Sequence, residues 1–121
     1  MNMVKHIFDK NKIGQYIQQR IARDFIDILI LSELAQAPLS GYDLISIIYR
    51  KFNLMISPGT IYSTLYALER RGLIKGGEYN RKRVYILTRK GEEFMRGVLS
   101  MRENIGLLLS KILGVNVQLE G

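Results

Sequence analysis

Between Arg70 and Lys90 the chain holds eight basic residues (Arg70, Arg71, Lys75, Arg81, Lys82, Arg83, Arg89 and Lys90) and one acid, Glu78. The full sequence of 121 residues has 18 Lys and Arg against 11 Asp and Glu, a net charge of +7. The other residues therefore balance, and the whole excess sits in one stretch. Positive charge confined in this way makes a localised field whose natural partner is a polyanion, either nucleic acid or an anionic membrane face. Just upstream, the run Ser57 to Tyr66 gathers short hydroxyls (Ser57, Thr60, Ser63), two phenols (Tyr62, Tyr66) and a residue with no side chain, Gly59. Those residue types suit contacts to phosphates and base edges, with Gly59 permitting close approach.

Other chemistries are poorly supplied. The absence of Cys removes disulfides, thiol nucleophiles and thiolate metal sites, and a single histidine, His6, cannot build a zinc-hydrolase ligand set. No nucleophile and base, or pair of carboxylates, can be placed in one cleft; Asp24 and Asp27 share a helix edge and read as surface charge or capping. No enzymatic activity, cofactor or metal site is expected. The longest purely apolar run, Ile28 to Leu31, is too short to span a bilayer, and Met1 to Lys12 lacks a signal-peptide core. A cytoplasmic location and no membrane association are expected. Apolar residues make up 47% of the chain, which is what a globular domain needs.

The elements that would position these groups follow from periodicity. Residues 9–22 carry Ile13, Tyr16, Ile17 and Ile21 at helical spacing, with Gly14 as a weak point. From Arg23 a run that is apolar on nearly every side extends until Pro38 stops it, as suits a central core helix. Ser40 then stands as an N-cap with Asp43 three residues on, opening a helix with a stripe of Leu44, Ile47, Ile48 and Phe52 that breaks at Asn53. Ser57 before Pro58 predicts a further helix from Pro58 to a left-handed cap at Gly72. At about 100° per residue, Ile61, Leu65 and Leu68 share one face. Gly59, Ser63, Tyr66 and Arg70 take the opposite face, with Thr60 beside them and Tyr62 on the flank. Residues 73–79 and 83–88 predict two strands joined by a turn at Asn80-Arg81-Lys82, the most basic spot in the chain. Thr88 caps a last helix reaching Gly114, along which Phe94, Val98, Met101, Ile105, Leu108 and Ile112 recur as a heptad seam. Residues 115–121 read as a tail.

This order predicts a mainly α fold with a two-stranded β-wing. It is a winged helix-turn-helix (23–88) flanked by an N-terminal amphipathic helix (1–22) and a C-terminal dimerisation helix (89–114). In such a layout the helix from Pro58 enters the major groove and the hairpin tip (Arg81, Lys82, Arg83) meets a phosphate backbone. Three sequence blocks, Pro38 to Leu44 (PLSGYDL), Ser57 to Ile74 (SPGTIYSTLYALERRGLI) and Arg83 to Gly91 (RVYILTRKG), resemble the signatures of the PadR family of transcriptional regulators. The resemblance covers roughly residues 28–91. It implies a winged-helix DNA-binding domain, a C-terminal helix that dimerises, and repression of a nearby promoter. It also implies that Ser57, Gly59, Thr60, Tyr62 and Ser63 face DNA. The chain departs from the family pattern at Ser63, where many relatives carry proline, and in its wing, which is often longer in relatives and contains Gly-Arg-Pro.

The terminal seam would pack on a second copy, against the partner's N-terminal helix through Ile13, Tyr16 and Ile17. Two recognition helices related by a two-fold axis would then read a near-palindromic operator. The resemblance also implies response to a small aromatic effector near the dimer interface, for which Phe94 and Tyr16 are the aromatic candidates. The rival reading is a winged-helix protein–protein module without DNA binding. Its third helix would expose apolar or acidic residues, and the basic stretch from Arg70 to Lys90 argues against it.

Overall fold

The computed structural model describes residues 10–114, so His6, the residue-9 start of the first helix and the 115–121 tail lie outside the described residues. Six helices and one hairpin follow in the order α1 (Lys10–Asp24), α2 (Ile26–Leu34), α3 (Gly41–Phe52), α4 (Pro58–Arg70), β1 (Ile74–Tyr79), β2 (Lys82–Leu87), α5 (Arg89–Ser100) and α6 (Arg102–Ile112).

The core lies between α2, α3, α4 and the root of the hairpin. Ile30, Leu31, Leu44, Ile48, Ile61, Leu65, Leu68 and Ile74 are essentially inaccessible to solvent. In α3 the expected stripe divides: Leu44 and Ile48 are buried, while Ile47 and Phe52 are half-buried at its edge. In α4 the face of Ile61, Leu65 and Leu68 is buried as the spacing requires. This leaves the other side of that helix outward.

The caps form where the residue types place them. The Ser40 hydroxyl accepts from the Asp43 N–H at 3.1 Å, and the Asp43 carboxylate accepts from the Ser40 N–H at 2.9 Å. Asn53 ends α3 with φ 52°, the left-handed region that asparagine tolerates. The Ser57 hydroxyl accepts from the Thr60 N–H at 3.1 Å with Pro58 in the first turn. At the far end of α4, Gly72 has φ 75° and donates to the Glu69 carbonyl, while the Leu73 N–H reaches back to the Leu68 carbonyl. That double closure is a Schellman turn, and the two leucines bury together beneath it.

Apart from shifts of one or two residues at strand and helix ends, four boundaries differ from expectation. First, the N-terminal helix runs to Asp24, and Phe25 (φ −106°, ψ 30°) separates it from α2, so the central helix begins at Ile26 instead of Arg23. Second, α2 ends at Leu34, three residues before the run was expected to stop, because the Gln36 N–H bonds the Glu33 carbonyl in a tightened last turn. Third, the hairpin turn has two residues, with Lys82 paired across to Tyr79. Asn80 (φ 52°) and Arg81 (φ 63°) are both left-handed, as the mirror-image turn that matches strand twist demands. Fourth, the terminal segment is two helices. The Ser100 hydroxyl takes the Gly97 carbonyl at 2.6 Å, and the Met101 N–H bonds Val98 instead, which breaks the ladder at Met101.

The hairpin is held at its root by an additional bridge. Leu39 and Tyr85 exchange both backbone bonds (3.2 and 2.8 Å), tying β2 to the segment before α3. Thr88 caps α5 by accepting from the Gly91 N–H, and its own hydroxyl donates to the Gly72 carbonyl at 2.6 Å, so α4, the hairpin and α5 meet at one knot.

Candidate nucleic-acid interface

The outward side of α4 carries all the residues singled out there. Ser57, Gly59, Thr60, Tyr62, Ser63, Tyr66 and Arg70 are exposed. They form one surface because Ile61, Leu65 and Leu68 hold the opposite side in the core. Several hydroxyls are already engaged locally. Ser57 donates to the Thr60 hydroxyl at 3.0 Å, and Ser63 and Thr64 both donate to the Thr60 carbonyl, at 3.1 and 2.7 Å. These bonds fix the rotamers while leaving oxygen lone pairs available to outside donors. The Arg70 guanidinium lies over the Tyr66 ring at 5.7 Å, which pre-orients both side chains on the exposed side.

Tyr62 is the least free of the set. Its ring lies across Gly41 at the start of α3, where a Cβ would come within 2.5 Å of the ring carbon that bears the hydroxyl. Tyr42, itself 70% exposed, meets it edge-on with centroids 6.4 Å apart. Burial pushes the Tyr62 hydroxyl above its ordinary pKa, with Tyr42 and Tyr85 nearby adding to the effect, so it stays protonated and able to donate. Tyr62 thus sets the spacing of α3 and α4 and presents its outer edge to solvent. Gly41 and Tyr42 were invisible as site residues in the sequence, although a glycine directly after an N-cap is a signal of close approach.

The hairpin brings Arg81, Lys82 and Arg83 to its exposed tip, beside α3 and α4. Three-dimensional charge differs here from charge counted along the chain. Lys82 pairs with Asp43 of α3 at 3.1 Å, and Arg83 with Glu69 of α4 at 3.6 Å. Arg89 pairs with Glu93, and the Lys90 ammonium donates to the Arg71 carbonyl at the end of α4. Asp43 is held below the usual carboxylate range, first by the Ser40 N–H and then by Lys82. Asp43 reads from the sequence as a capping residue only, since its second partner lies 39 residues away. Glu69 has no local signal.

The residues expected at an interface between copies separate into two groups. Phe94 and Val98 are half-buried against the chain's own core, and Phe94 is covered by the Arg71 guanidinium at 5.5 Å. Ile13, Tyr16, Ile17, Met101, Leu108 and Ile112 are exposed, while Ile105 is half-buried. Leu107, Leu109 and Leu113 are exposed beside them, and the sequence spacing did not single them out. Where α1 and α2 meet, Ile17, Ile21, Phe25, Leu29 and Phe52 line an open apolar cleft of about 550 Å³. No helix among the described residues is long and apolar enough to cross a membrane.

A family model described as the transcriptional regulator PadR-like family matches residues 30–97. The chain is similar to a PadR family transcription regulator from hypervirulent Clostridium difficile R20291. Identity is 27% and the TM-score 0.67, over 74% of this chain and 99% of that one. It is similar to a transcriptional regulator from Clostridium thermocellum at 28% identity and a TM-score of 0.65, over 77% and 94%. It is also similar to Bacillus subtilis PadR, solved in complex with operator DNA, at 27% identity and a TM-score of 0.54, over 62% of this chain and 47% of that one. No curated protein gives a significant match. The matched span covers more than half of the chain and runs from within α2 through α3, α4 and the hairpin into α5, so the protein belongs to the PadR-like family of transcriptional regulators and has its winged-helix fold.

Proposed function

We propose that the protein is a cytoplasmic, sequence-specific double-stranded DNA-binding repressor that works as a homodimer on a near-palindromic operator. The observation that carries the reading is the outward side of α4. Seven polar, aromatic or small residues, Ser57, Gly59, Thr60, Tyr62, Ser63, Tyr66 and Arg70, stand together on a helix whose other side is sealed in the core, next to a hairpin whose tip is basic. A helix of this width fits the major groove, where Ser, Thr and Tyr side chains reach base edges. The start of α4 and the tip residues Arg81, Lys82 and Arg83 supply the positive field for the flanking phosphates. A relative solved with operator DNA supports the same reading.

The homodimer is proposed from the terminal helices. In α6 none of the residues is buried, and its leucines are exposed. In the partner subunit the α1–α2 cleft, which Ile17 lines, would offer an apolar surface for them, with the exposed Ile13 and Tyr16 on the same helix. A small aromatic effector would enter the same region between copies, where Tyr16 is open to solvent. Selecting bound sequences from a random duplex pool tests the proposal. Recovery of two half-sites about one helical turn apart is expected; recovery of no enriched motif, or of a single asymmetric site, would count against it.

A further inference from the structure

The three basic residues at the hairpin tip have different surroundings, and the difference assigns them different work. Residues on the core side of the hairpin are Ile74, Gly76 and Glu78 on β1, paired with Leu87, Tyr85 and Arg83 on β2. Arg83 therefore lies on the side of the hairpin that faces α4, with its side chain still partly exposed. Its guanidinium lies over the Tyr85 ring at 5.4 Å, donates to the Tyr85 hydroxyl at 3.3 Å and pairs with Glu69 of α4. It also occupies the space a side chain at Gly76 would need, since a Cβ there would sit 2.5 Å from the Arg83 Nη2. The same Glu69 carboxylate oxygen accepts from the Gly76 N–H at 3.0 Å. Glu69 thus bridges the recognition helix to both strands.

Lys82 points to the other side of the hairpin, and its ammonium lies 3.1 Å from each oxygen of Asp43 on α3. Asp43 is in turn fixed by the capping box of that helix. Arg81 sits between the two strands in the left-handed turn, is exposed, and makes no ion pair among the described residues.

We propose that Asp43 and Glu69 are positioning residues that strut the hairpin against α3 and α4 through Lys82 and Arg83, and that Arg81 is the tip cation that makes the direct phosphate contact. The assignment of Arg81 rests on the DNA-binding reading above; the assignment of the struts does not. A cation already paired with a carboxylate releases little counterion when a phosphate arrives, whereas an unpaired one contributes its full share to the salt dependence.

Two measurements test this. Anisotropy titrations of a labelled random-sequence duplex across a range of salt compare the parent with Arg81→Ala, Lys82→Ala and Arg83→Ala. Arg81→Ala is expected to reduce the slope of log K against log salt by about 0.9 for each contact removed. Lys82→Ala and Arg83→Ala are expected to weaken binding with the slope unchanged. Amide hydrogen exchange of the free protein then compares the parent with Asp43→Asn and Glu69→Gln, which each keep one acceptor oxygen for the Ser40 or Gly76 N–H and remove the charge. Exchange within the hairpin is expected to quicken about two- to fivefold in each, the scale of one part-exposed ion pair, while that of Leu31 and Ile48 in the core stays at the parent rate. Equal slope losses for all three alanine variants, or hairpin exchange unchanged in both carboxamide variants, would overturn the assignment. A parent protein that binds no duplex would remove the regulator reading and the Arg81 contact together, and the exchange data would still decide whether Asp43 and Glu69 hold the hairpin.

Discussion

Two regions of this molecule solve the burial problem in different ways. From Ile30 to Met95 the chain closes its own core, and among the described residues every buried apolar side chain but one lies in that span. The exception, Ala22, is the sole buried residue of α1, and α6 has none. The winged unit has capped helices, a Schellman turn and a bridged hairpin root, each fixing a direction in the chain. The terminal helices have apolar side chains in water, such as Leu107, Leu108, Ile112 and Leu113. The α4 side and the hairpin tip are thus held by the closed core, whereas α6 leaves its apolar side chains uncovered. In the proposed homodimer a second copy would cover them and supply a two-fold repeat of the α4 side.

The comparison breaks most sharply at α6. Leu108→Lys combined with Ile112→Lys would keep two apolar side chains per copy out of the proposed interface, each worth about 1.5–3 kcal/mol. Sedimentation should show a dimer constant weakened by about a thousandfold or more, with the winged unit still folded by circular dichroism. Unfolding of the monomer instead would mean that α6 serves its own chain.

Inside the winged unit, close approach should be the sensitive property. A Cβ at Gly91 would land on the Leu73 carbonyl oxygen, so Gly91→Ala should cost about 1–3 kcal/mol in a denaturant titration. Gly14 in α1 has nothing within 4 Å, and Gly14→Ala should instead gain up to about 1 kcal/mol from helix propensity. Equal losses at both sites would erase the distinction between the regions.

These regions also differ in how much could be read before the fold was known. Side-chain periodicity and caps are local, so the α4 side, the Ser40 and Ser57 caps, the Gly72 turn and the two-stranded wing were legible from spacing alone. The break at Met101 was not, because a heptad seam reports where apolar residues fall and is blind to the Ser100 hydroxyl that competes for a helix carbonyl. Contacts between distant segments were equally hidden. Nothing near Asp43 announces Lys82, nothing near Glu69 announces Gly76 and Arg83, and a count of charge along the chain could not show that Asp43, Glu69 and Glu93 neutralise part of it.

Smaller effects sharpen the picture at the interface itself. Ser57→Ala removes the α4 cap and should lower stability by about 1 kcal/mol, read from the unfolding midpoint, in addition to any change in duplex affinity. The pH dependence is smaller still. The Asp43 carboxyl is lowered in the folded state, so its contribution is present above the ordinary aspartate range and is lost as pH falls through the folded value. Acid titration of the parent should loosen the hairpin and the start of α3 together, and Asp43→Asn should remove that part of the pH dependence.

In the proposed function a duplex docks on the outward side of α4 and the hairpin tip. Chemical-shift mapping with a labelled protein and added duplex tests it most directly. The amides of Ser57, Gly59, Thr60, Ser63 and Tyr66, together with Asn80 to Arg83, are expected to shift first and most, with α6 unmoved. Shifts confined to α1 and α6, with the α4 side silent, would contradict it.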